Sequence, residues 1–560
     1  MIVKSDPLGL LIHVAAESLD EEAWGRLRRL IGGRQRAPAA DALILHLRSL
    51  GAQCMVTEHP YTDRDYSADF VGFYASVFKT YPRDTSRIHF FRRDIRPVLE
   101  LPLRDRLAAL EGETSYLGFV VIRPISQGPI GRTVLPFPHL SDGLIVRGTV
   151  RAVSGAHLQG ARLQVQGAPF IQQEQRIGAC AQAAIWMADR PLHQRYGRSA
   201  WHAMTDITRL ATNPIDDTLS QALPHGSSGL NPLHITRALR AMGHQPHSQF
   251  FLVEPVDLDQ ARPRSPAESE NSDPAEAETA RESPLPTVVR YLDSGLPVIL
   301  GLTAPNSEQL ANHAVTAIGY VEVIGAGIRA GDGYECFVRG IVVHDDQGGP
   351  YRIMPLTSAD EEHMPADRVL VHEGRVATVE DLVTHIFVPL SPRVLLTADH
   401  VHIVAWDFVE QYVRLLLTHR GLICFERAVV AFARQWQEGA IIRRAYLTTA
   451  GRYRHHIASS AMPEEAKVRA VNRKLPHFIW VVELIERDTA VTAESARPII
   501  GHLVFNATSS TDPTSDLLFA HLPHQVVERD PDGSDGKGHE YQETLIPIAE
   551  HCPYAQRVRG

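Results

Sequence analysis

The chain has 560 residues, too many for one hydrophobic core, so two to four domains are expected. With 44% hydrophobic and 22% charged residues it is neither disordered nor fibrous throughout, and a net charge of −9 gives no basic excess for neutralising phosphates, which argues against nucleic acid as a partner. The longest apolar runs, such as "YLGFVVI" and "LPVILGL", fall far short of the ~18 to 20 residues a membrane span needs.

The N-terminal stretch lacks the apolar core and cleavage site of a signal peptide. Five cysteines (Cys54, Cys180, Cys336, Cys424, Cys552) are scattered with no CxxC pair, which fits a reducing, cytoplasmic setting better than a disulfide framework. Residues 1–155 read as an α/β or α+β accessory domain. "EEAWGRLRRLIGG" and "DALILHLRSLG" have helical spacing, and "YLGFVVIRPISQGPIGRTVLP" reads strand, turn, strand, with Arg123 and Arg132 expected on a solvated face. "ARPRSPAESENSDPAEAETARESPLP", residues 261–286, has almost nothing to bury and is expected to be a disordered acidic insertion.

In "FIQQEQRIGACAQAAIWMAD" a lone cysteine follows a small-residue turn and opens an apolar run with one buried face, which Pro191 should end. Cys180 would stand at a helix N-terminus, where open N–H groups and the macrodipole favour thiolate. Further on come a capped helix, "SGLNPLHITRALRAMG", and a helix, turn and buried strand, "PTVVRYLDSGLPVILGL". Then "NHAVTAIGYVEV" forms a strand beginning at His313, and "RGIVVHDDQGGPYRI" a strand ending at Asp345 and Asp346 before a Gly-Gly-Pro turn.

These segments, in this order, resemble the papain-fold cysteine peptidases, most closely the branch of the double-glycine leader peptidases. The resemblance covers about Pro169 to Ile353. It implies Cys180 as nucleophile, His313 as general base and acid, and Asp345 as the group that orients the imidazole, with Asp346 as the alternative. It also implies a glutamine as oxyanion donor six residues before the cysteine. That position is Glu174, so Gln173 with a one-residue bulge is the candidate and Gln175 the alternative. The family's glycine after the cysteine is replaced by Ala181.

Beyond Ser391, "DFVEQYVRLLLTHRG" and "RAVVAFARQWQEGAIIRRAYL" read as helical and "HFIWVVELIERD" and "PIIGHLVFNATS" as strands; these strands form a separate domain or join the N-terminal region. Among the 28 histidines, His400 and His402 of "DHVHIVAWD" share a face if that segment is extended, a weak metal signal, and no metal or cofactor is assigned. "GAGIRAGDGYE" reads as a long turn and "DPDGSDGKGHEYQE" as a solvated loop without EF-hand spacing.

The expected architecture is α+β: an accessory domain at 1–155, a papain-like cysteine peptidase domain at 156–390, and an α+β accessory domain at 391–560. The implied activity is hydrolysis of a peptide or isopeptide bond in a protein or peptide substrate, with a regulatory protein as a further partner and no membrane. Acyl transfer or deamidation through the same acyl-enzyme is the alternative, and an inactive interaction scaffold the second.

Overall fold

The computed structural model describes residues 11–32, 37–140, 143–174, 177, 179–197, 200–212, 229–251, 282–303, 313–418, 427–460, 462–487, 498–509, 516–523, 525–529, 541–545 and 554–555. The acidic insertion, up to residue 281, lies outside them, as do Gln175, Cys424, Cys552 and most of "DPDGSDGKGHEYQE".

Three antiparallel sheets carry the helices, an α+β architecture. The first sheet runs His13–Ser18, Cys54–Tyr61, Thr85–Phe91, Tyr116–Ile122, Ile130–Leu135, Ala161–Phe170, Ala152–Leu158. Both of its faces are covered, and strand alternation assigns the residues. Met55, Phe90 and Val120 point into the main core, beside the helices Glu21–Gly32 and Pro38–Ser49. Their neighbours Cys54, Val56, Phe91, Phe119 and Val121 point into a second, smaller core that includes Leu110 from the helix Leu103–Glu111.

The second sheet runs Gly349–Pro355, Val338–Asp345, His313–Val323, Val298–Leu302, Val383–Leu390, Gln245–Phe250, and Leu144–Gly148 also pairs with His313–Val323. His313–Val323 is buried from His313 to Glu322 because it is covered on both faces, which is why it is mostly apolar without strict alternation. The third sheet runs Ile441–Thr449, Phe478–Glu486, Pro498–Asn506, Leu517–Leu522, Gln525–Arg529, Tyr541–Leu545. It is separate from the first, which decides between the two topologies left open above. It docks on the second through Arg443 N to Asp332 O at 2.9 Å and Leu447 N to Ser294 Oγ at 2.7 Å, and one hydrophobic core runs through all three sheets.

Several expectations change. The strands Ala152–Leu158 and Ala161–Phe170 lie across or beyond the expected boundary at 155/156 and complete the first sheet, while Leu144–Gly148, expected in the first region, joins the second. Arg123 is buried rather than solvated, donating to the carbonyls of Gly128, Ile130 and Gln172, and Arg132 pairs with Asp63 at 3.1 Å. "DHVHIVAWD" belongs to a helix, Ala398–Thr418, so His400 and His402 are not on one strand face. The second helical stretch ends at Gln437: Gly439 turns the chain at φ +67, and "AIIRRAYL" begins the strand Ile441–Thr449. No helix among the described residues is long and apolar enough to cross a membrane.

Candidate active site

Cys180 is the first residue of the helix Cys180–Arg195, after Ala179 in extended conformation (φ −93, ψ −170). Alanine offers no capping oxygen. The turn is held instead from inside the helix: Gln182 Oε1 accepts the Ala179 N–H at 3.0 Å, its Nε2 donates to Thr208 Oγ1 at 3.2 Å, and that hydroxyl donates to Ile177 O at 3.1 Å. The Cys180 N–H remains among the helix's open N-terminal donors. Cys54 and Cys336 are buried, whereas Cys180 keeps contact with solvent.

The helix differs from the expected one-sided amphipath. Every residue from Ala181 to Leu192 is buried, including Gln182, Asp189 and Arg190, so it is packed all round. Pro191, expected to end the run, sits inside, and the helix continues to Arg195. Asp65 of the N-terminal region explains part of this burial. Its Oδ1 accepts Trp186 Nε1 at 2.9 Å, Trp201 Nε1 at 2.9 Å and an Arg190 nitrogen at 3.0 Å.

His313 opens its strand opposite Leu302, and Thr316, one turn of the pleat further on, donates to Ala184 O of the cysteine helix at 3.1 Å. That bond fixes the strand against the helix and brings His313 close enough to Cys180 for the thiol to favour the charged imidazole. On its other side His313 Nε2 meets Asp345 Oδ1 at 2.9 Å. Nδ1 is therefore the nitrogen left for the thiol. Asp345 ends the strand Val338–Asp345, and the same Oδ1 also accepts the Gln347 N–H at 3.0 Å.

The electrostatics follow from this geometry. Burial alone would push His313 down, but the hydrogen bonds to Asp345 and Cys180, with the charges of Asp345 and Asp346, outweigh it and hold the imidazolium well above its ordinary range. Burial would raise Asp345, but the His313 hydrogen bond and charge outweigh it and keep the carboxyl below its usual value. Asp346 points the other way. It is fully buried, neither carboxylate oxygen has a hydrogen-bond partner, and burial together with the adjacent Asp345 charge pushes it up to about 8.

His313, Asp345 and Asp346 each offer a ligand atom within 4.8 Å of the others, and form the group of this kind found among the described residues. The 2.9 Å His313–Asp345 contact uses two of those atoms for each other, an arrangement suited to a proton relay.

A side chain that sequence reasoning missed completes the surroundings. The hairpin of Val371–His372 and Arg375–Val376 turns at Glu373 and Gly374, both at positive φ, and lays the His372 ring parallel to His313, centroids 5.1 Å apart and 10° from coplanar. Burial and the His313 charge both lower His372, keeping it neutral beside the imidazolium. The "HEGR" turn signals the hairpin; nothing local signals where it folds back.

Gln173, the expected oxyanion donor, lies after the strand Ala161–Phe170, half-buried, and its side chain makes no hydrogen bond among the described residues. The structure thus brings Cys180, His313, Asp345 and Asp346 together and shows no contact of Gln173 with them. In comparisons with known proteins, the chain matches no family model, no curated protein and no solved structure.

Proposed function

We propose that the protein is a papain-like thiol hydrolase that cleaves an amide bond in a peptide or protein, with Cys180, His313 and Asp345 as its relay. The observation that carries this reading is the placement of His313, whose Nε2 meets the buried Asp345 carboxylate at 2.9 Å while the Cys180 thiol helps to raise its pKa. In this mechanism His313 enters as the imidazolium, holding at Nδ1 the proton given up by Cys180, and the thiolate attacks the carbonyl carbon. The imidazolium then protonates the leaving amine, and His313 takes a proton from water as the thioester is hydrolysed. Asp345 holds the ring and supports its positive form. The open N–H of Cys180 supplies one oxyanion donor, and Gln173 or Gln175 the second.

Limiting iodoacetamide near neutral pH, with the alkylated cysteine mapped by mass spectrometry, tests the relay. Cys180 is expected to react at least about tenfold faster than in His313→Ala, with EDTA making no difference. Equal rates in the two proteins would sink the proposal and favour the scaffold. A peptide library then separates the chemistries by product mass: hydrolysis adds water across a cleaved bond, transfer joins fragments, and deamidation leaves the chain intact.

A further inference from the structure

A cavity of about 680 Å³ lies between the second and third sheets, at the far end of the Cys180–Arg195 helix. Its size falls within the ~300 to 1,000 Å³ typical of small-molecule sites. Five arginines line it against a single carboxylate, Asp293. Two are neutralised where they stand: Arg147 meets Glu322 at 3.2 Å, and Arg444 meets Asp293 at 3.0 Å. The other three have no acidic partner among the described residues. Among the described residues Arg151 donates to Gly148 O alone, and Arg195 to Ser294 O at 2.7 Å and Gly295 O at 2.8 Å, with its Nε buried and unbonded. The Arg452 side chain makes no hydrogen bond or ion pair among the described residues.

Charge of one sign converges here by construction. Arg452, His455, His456 and Ser459 occupy one face of the helix Ala450–Ser459, spaced three and four apart, and that face is the cavity wall. Burial lowers both Arg151 and Arg195, and Arg452 lowers Arg195 further, the signature of cations withdrawn from water without a counter-charge. Guanidinium groups supply planar forks that match phosphate oxygens.

We propose that this cavity is a binding site for a small phosphorylated molecule, whose phosphate oxygens are taken by Arg151, Arg195 and Arg452. The site is independent of the chemistry at Cys180.

Isothermal titration with pyrophosphate and with ATP on the full chain tests it, alongside Arg452→Glu, Arg195→Met and, as a charge control outside the cavity lining, Arg104→Glu on the exposed face of Leu103–Glu111. At least one probe is expected to bind saturably at one site per chain, with affinity falling as salt rises. Arg452→Glu should weaken it at least tenfold and Arg104→Glu leave it unchanged. Arg452→Glu removes no side-chain contact and is expected to keep the wild-type melting temperature; should Arg195→Met fold poorly, Arg452→Glu decides alone. No saturable binding of either probe, or equal affinities in Arg452→Glu and Arg104→Glu, would overturn the proposal.

Discussion

Asp346 departs most from ordinary behaviour. A carboxyl raised to about 8 when folded and near its normal value when unfolded binds more protons in the native state across the interval between, so stability falls as pH rises from about 4 to about 8. Asp346→Asn replaces it with a neutral isostere. The variant should melt higher than wild type near pH 8, by an amount on the order of a few kcal/mol, with the gain shrinking toward pH 4. Paired melting curves across that range check it; a gain that does not change with pH would refute the assignment. His313 has a linkage of the same sign. Its folded pKa lies above the unfolded value, so its contribution is full below about 6.5 and is lost as pH rises through the folded pKa. Asp345→Asn removes the largest of the raising contacts, so the imidazolium that supports the thiolate is weakened and the acid limb of rapid Cys180 labelling should move to higher pH, which a pH–rate profile reads directly.

Cys180, His313 and Asp345 were legible because each lies where a local signal changes: after a small-residue turn, at the start of an apolar run, before Gly-Gly. Nothing local marks Asp346 as unpartnered or His372 as stacked, since both states are set by segments distant in sequence. Arg123 and Arg132 were misjudged for the same reason: their acceptors lie partly in Gln172 and Asp63, which the fold delivers.

At the scale of elements, the turn after Asp345 gives the sharpest test. A Cβ on Gly349 would meet Ala42 Cβ at 2.6 Å, and its φ of +103 excludes other residues, so Gly349→Ala should cost at least about 2 kcal/mol by denaturant melting. A Cβ on Gly348 would meet Asp345 Oδ2 at 2.6 Å instead. Gly348→Ala should therefore slow Cys180 labelling more than it lowers stability, and the opposite ranking of the two variants would contradict the role given to this turn. Helix and strand types were mostly readable, but short windows misled. The alternation in "HVHIV" suggests a strand, whereas burial at Val401, Ala405, Val409 and Val413 recurs every four residues, which only a longer window reveals. The hairpin Ala152–Leu158 with Ala161–Phe170 has clear alternation, yet its partner, Ile130–Leu135, cannot be read from it, so its place in the first sheet was not legible.

At the scale of the molecule, the regions outside the second sheet brace it on two sides. On one, Asp65 holds Trp186, Trp201 and Arg190; on the other, Arg368 donates to Ser49 Oγ at 2.6 Å and His46 stacks on Tyr351 at 4.3 Å. Asp65→Ala leaves Arg190 with the 3.6 Å contact to Asp189 as its remaining carboxylate among the described residues, beside its hydrogen bond to His202 O, and should cost about 3 kcal/mol or more. It should also slow Cys180 labelling, because Trp186 is about 9 Å along the helix axis from the thiol. Unchanged labelling at unchanged stability would show that the brace is idle.

The burial of the Cys180–Arg195 helix on every side carries a consequence for how this chain can vary. A nucleophile on a surface helix can be re-aimed by a few local substitutions. Here each wall belongs to a different stretch of sequence, so a change at residue 65 and one at residue 316 act on the same few atoms. Fragments cut between the first and second sheets would lose the helix before they lost the sheets, and those two regions are bound to change together.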